Sequence, residues 1–77
     1  MKWISNHKHP DGHTFEIEYE ILFDSMQKVD FPAYYLLGVD GKGYFLCNYM
    51  QEEFEAATEQ AFMKWGVPED SWVKVEE

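Results

Sequence analysis

AYYLLGV (Ala33–Val39), DG (Asp40–Gly41), KGYFLCNY (Lys42–Tyr49) and MQEEFEAATEQAFMKW (Met50–Trp65), closed by Gly66, spell strand, tight turn, strand and helix. Asp-Gly between apolar runs is a strong two-residue type I′ hairpin signal. Such a loop pairs Val39 with Lys42, Leu37 with Tyr44 and Tyr35 with Leu46, which places them on one face. Tyr34, Leu36, Phe45, Cys47 and Tyr49 then share the other. A helix is expected from Asn48, whose side chain can accept from the first turn, with Gln51 three residues on as in a capping box. Phe54, Ala57, Ala61 and Trp65 recur at helical spacing, with Phe62 beside them. Gly66 stops the helix and Pro68 forbids its return.

Working toward the N-terminus, Thr14 to Phe23 alternates: Phe15, Ile17, Tyr19, Ile21 and Phe23 against Glu16, Glu18 and Glu20. A first strand, Lys2 to Asn6, precedes His9-Pro10-Asp11-Gly12-His13, where Pro and Asp suit the centre of a type I turn and Gly the left-handed position after it. Pairing His9 with His13 puts Trp3 opposite Tyr19 and Lys2 opposite Glu20. Asp24 to Pro32 reads as a connection, with Pro32 barring a central ladder. Trp72 to Val75 makes a short closing strand. The expectation is one α+β domain, residues 1–77: a small antiparallel sheet of four to five strands with two hairpins and one amphipathic helix on one face, in the order β-β-β-β-α-β.

Composition narrows the function. The 77 residues are 45% hydrophobic and 18% aromatic, which opposes disorder. The net charge is −9, from fifteen acidic residues against six cations, all Lys. Arg supplies the planar fork that grips phosphates and guanine, so this balance opposes direct binding of nucleic acid or anionic lipid. A basic protein would be attracted instead. The lone Cys47 cannot form an internal disulfide, and no apolar run reaches signal-peptide or membrane-spanning length. A soluble protein of the cytoplasm is expected, with no cofactor.

Two groups of side chains compete for a role. One helix covers one sheet face, expected to be that of Leu36, Phe45 and Cys47. Tyr35, Leu37, Tyr44 and Leu46 are then left for a partner, since large apolar patches mark interaction sites. Glu52, Glu55 and Glu59, spaced i, i+3 and i+7, add an acidic strip, and Glu16, Glu18 and Glu20 form a row about 7 Å apart. His7, His9 and His13 fall within seven residues and could form an open zinc site. The leading expectation is a non-enzymatic protein–protein interaction module that binds a basic protein or a second copy of itself. In size and charge the chain resembles the acidic inhibitors and nucleic-acid-mimicking decoys of phage and mobile elements, without a shared motif. The alternative is a small metal-binding protein or metal-dependent hydrolase built on the three His.

Overall fold

In a computed structural model, which describes residues 1–75, alternation along Phe15, Ile17 and Tyr19 sets the sheet's two faces. The elements are β1 (Lys2–Ser5), β2 (Thr14–Asp24), β3 (Val29–Val39), β4 (Phe45–Gln51), α1 (Phe54–Trp65) and β5 (Trp72–Val75). The strands form one antiparallel sheet in the order β4-β3-β2-β1-β5, with α1 packed on one face. This is the expected small α+β domain in the expected element order.

The core lies between sheet and helix. Phe15, Ile17, Leu36 and Cys47 from the strands meet Ala57 and Ala61 of α1, together with Val67. Small residues on the helix let it approach the sheet closely, and the large rings close the ends. Phe54 packs on Trp3 with centroids 4.6 Å apart, and Trp65 lies 5.5 Å from Phe15. At the far end Gly66 takes φ 69°, its N–H donating to the Phe62 carbonyl and the Val67 N–H to the Ala61 carbonyl, the left-handed stop expected of Gly there.

Three local expectations change. First, the His9–Gly12 turn forms, with Gly12 at φ 75° donating to the His9 carbonyl. However, β1 already ends at Ser5, and Trp3 faces Ile17 rather than Tyr19, while Lys2 faces Glu18. The slip is two residues, so every side chain keeps its face. Second, Asp24 to Pro32, expected as a connection, is the end of a long hairpin. Asp24 Oδ1 accepts from the N–H groups of Met26 and Gln27 at 2.9 and 3.2 Å, an Asx turn in which Lys28 takes the left-handed position at φ 55°. Beyond Tyr19 and Tyr34 the two strands run without a third, pairing Glu20–Ala33 through Asp24–Val29. Pro32 is tolerated because β4 stops opposite Tyr34 and leaves it on an edge. This two-stranded arm gives a molecule of 44 × 26 × 23 Å its elongation.

Third, Asn48 does not cap the helix. It lies within β4, opposite Leu37, and the chain stays extended to Gln51 because its backbone groups are taken by β3. The N-cap is Glu53, which makes no side-chain capping bond.

Candidate functional site

The second hairpin closes differently from the two-residue reading. Asp40 Oδ1 accepts from the N–H groups of Lys42 and Tyr44 at 2.8 and 3.0 Å, and Gly43 N–H donates to the Asp40 carbonyl at 3.1 Å. With Gly43 at φ 90°, the loop is Gly41-Lys42-Gly43, a type I turn followed by a left-handed Gly. These amide bonds hold the Asp40 carboxyl below its ordinary value. A bulge follows between Gly38 and Val39, so Tyr35 pairs with Met50 and Leu37 with Asn48.

The expected patch of Tyr35, Leu37, Tyr44 and Leu46 is therefore divided. Tyr35 and Leu37 lie, half-buried, on the face away from α1. Tyr44 stands 71% exposed in the loop, and Leu46, the extra residue of the bulge, packs against the core. Phe45, expected beneath the helix, is 75% exposed.

Cross-strand pairing builds the face opposite α1 in two rows. One runs Val75, Lys2, Glu18, Tyr35, Met50, and the next runs Val73, Ile4, Glu16, Leu37, Asn48. No helix or strand among the described residues packs on them. The result is a carboxylate stripe along β2, continued by Glu20, between apolar flanks. Lys2 Nζ lies 3.5 Å from Glu16 and 3.8 Å from Glu18, so part of the stripe is neutralised from within the chain. Sequence reasoning missed Met50 because a helix was expected from Asn48, whereas β4 runs on to Gln51; Ile4, two residues from Lys2 on the same strand face, was legible by alternation but was not singled out.

Of the acidic strip, Glu55 and Glu59 lie on α1, whereas Glu52 precedes it, and all three are exposed. The three imidazoles do come together: His7 and His9 stack edge-on at 4.7 Å, His13 is 6.5 Å from His9, and His9 lies 5.1 Å from Phe15. His9 Nε2 is buried with no hydrogen-bond partner. Burial first, then the neighbouring His7 and His13, lower its pKa against the opposing pull of Asp11. Among the described residues, no three His, Cys, Asp or Glu are set to hold a metal ion. Cys47 is buried, its Sγ toward the Leu36 carbonyl, and burial pushes its thiol up, away from nucleophile chemistry.

A family model described as the ISC10 small helical domain matches residues 4–63, most of the chain. The chain belongs to this family. No curated protein and no solved structure matches it. In this member of the ISC10 small helical domain family, the matched span runs from β1 into α1, so only Phe54 onward is helical and β5 lies outside it. The span also contains the projecting arm, whose Ile21, Phe23 and Met26 are 64%, 63% and 93% exposed. No helix of this ISC10-family chain's described residues is long and apolar enough to cross a membrane.

Proposed function

We propose that this chain is a non-enzymatic protein–protein interaction module of the cytoplasm that takes a basic partner on the open face of its sheet. The observation that carries the proposal is the uncovered carboxylate stripe of Glu16, Glu18 and Glu20, flanked by Ile4 on one side and Tyr35, Leu37 and Met50 on the other. Apolar area beside fixed charge suits a partner whose Lys or Arg side chains lay their stems on the rings and their heads on the carboxylates. The net charge of −9 steers such a partner from a distance. The exposed Glu52, Glu55 and Glu59 extend the negative field, in the manner of an inhibitor that occupies a nucleic-acid-binding site.

The test is affinity capture from the native host's lysate at low and high salt, with Tyr35→Ser and Glu18→Lys beside the wild type. The expected result is a basic protein held by the wild type, weakened by salt and lost with either variant. Capture of the same proteins by wild type and both variants would overturn the proposal.

A further inference from the structure

The sheet has two outer strands, β4 and β5, and they differ in kind. An outer strand leaves a row of N–H and C=O groups unpaired, and proteins guard such rows with short strands, lysines, prolines or nearby charge. β5 is guarded, having four residues with Lys74 among them. The arm is guarded by Pro32, Glu20, Asp24, Lys28 and Asp30. β4 is not. It runs FLCNYMQ, seven residues without a charge or a proline, and its bulge is confined to its first two residues, leaving Cys47–Gln51 in regular register. Phe45, Tyr49 and Met50 are exposed along it.

We propose that β4 pairs antiparallel with β4 of a second copy of this chain, joining two sheets about a two-fold axis near Asn48. Two features select a copy of this chain as the occupant. Chains of charge −9 repel, so self-contact belongs where carboxylates are absent, and β4 is such a strip. The charges at its ends are also complementary: Lys42 lies just before β4, and Glu52 and Glu53 follow it directly. An antiparallel pair centred on Asn48, the middle residue of Phe45–Gln51, brings Lys42 of each copy to Glu52 and Glu53 of the other. The Asp40 carboxylate does not compete, because it is turned into its own loop. Beside this edge, a groove of about 390 Å³ lined by Gln51, Ala56, Glu59, Gln60, Met63 and Lys64 gives room for side chains of the second copy. This contact uses the edge of the sheet, whereas the partner proposed above takes its face, and Asn48, Met50 and Glu52 border both.

Sedimentation velocity of the full chain over a concentration series tests it, alongside Asn48→Lys, Lys42→Glu and the swap Lys42→Glu/Glu52→Lys/Glu53→Lys, each first shown by circular dichroism to keep the wild-type fold. A two-chain species is expected for the wild type. Asn48→Lys sets like charges opposite each other and should weaken it about tenfold, as should Lys42→Glu. The swap should restore it. A single-chain species up to roughly 1 mM, a two-chain species indifferent to Asn48→Lys, or a swap that stays weak would each overturn the proposal.

Discussion

Replacing Gly38 by Ala should destabilise the protein although Gly38 has an ordinary strand conformation. Gly38 lies in β3 between Phe15 of β2 and Cys47 of β4. A Cβ there would sit 2.8 Å from Phe15 Cε1 and 3.0 Å from Cys47 Sγ. Phe15 is 1% exposed, so its ring has nowhere to turn without disturbing α1. Overpacking of this kind costs about 1–3 kcal/mol. The reduced freedom of Ala in the unfolded chain offsets about 0.5–1 kcal/mol of that. The difference spans about 0–2.5 kcal/mol and centres on about 1 kcal/mol, a fall in Tm of roughly 4–8 °C for a domain of this size. Thermal unfolding followed by tryptophan fluorescence measures it. Shortening the obstructing ring should relieve the strain, so Gly38→Ala with Phe15→Leu should lose less than the sum of the two changes, by about 1 kcal/mol or more. A Gly38→Ala protein melting at or above the wild-type temperature would refute the reasoning.

Acidification should weaken the fold in two separate windows. His9 is held below its ordinary value near 6.5 by burial and by His7 and His13, so the unfolded chain binds that proton more tightly. Its contribution is complete above pH 6.5 and is lost as pH falls through that value toward the folded pKa. Urea midpoints measured across this range should fall with pH, and His9→Phe should flatten the slope. Asp40, held below its ordinary 3.8 by the amides of Tyr44 and Lys42, contributes above 3.8, and that contribution fades only as pH drops beneath it. Phe54→Ala, which removes the ring between Trp3 and Tyr34, should lose about 2–3 kcal/mol in urea unfolding, less than a fully buried Phe because Phe54 is half-buried. Gly66→Ala should lose about 1 kcal/mol by the same measurement, since φ 69° strains any residue with a Cβ.

The features that depend on side-chain period were legible in the sequence. Phe15, Ile17 and Tyr19 named the inner face of β2, and Trp65 followed by Gly66 marked the helix end. Loop lengths were less legible, because side-chain hydrogen bonds decide them. Asp40-Gly41 suits a two-residue loop, but the Asp40 carboxylate gathers two amides and draws Lys42 and Gly43 into the turn. The longer loop shifts the pairing by three positions and the bulge by one more. The total is even, so Cys47 and Tyr49 keep the face read from sequence, and only Phe45 and Leu46, inside the bulge, depart from it. The candidate interaction face was half legible: Tyr35 and Leu37 follow from β3 alone, whereas Met50 follows only once β4 is seen to run to Gln51 in place of a helix from Asn48. Asn48 looked like a cap because its local chemistry fits one, but a ladder to β3 outcompetes a single capping bond.

The outermost pairing of this sheet joins segments far apart along the chain: β1 takes β5 as its second neighbour, and the Ser5 and Ser71 hydroxyls meet at 2.8 Å across 66 positions. During vectorial synthesis the β2–β3 hairpin emerges whole and can close at once, because its strands are neighbours in sequence. β1 is made before the other strands of this sheet, yet its second flank stays bare until the helix has emerged and the residues after Gly66 exist. The outer flank of β1 is therefore covered only by a segment made after the helix, Trp72–Val75, so the sheet reaches its full width last on that side.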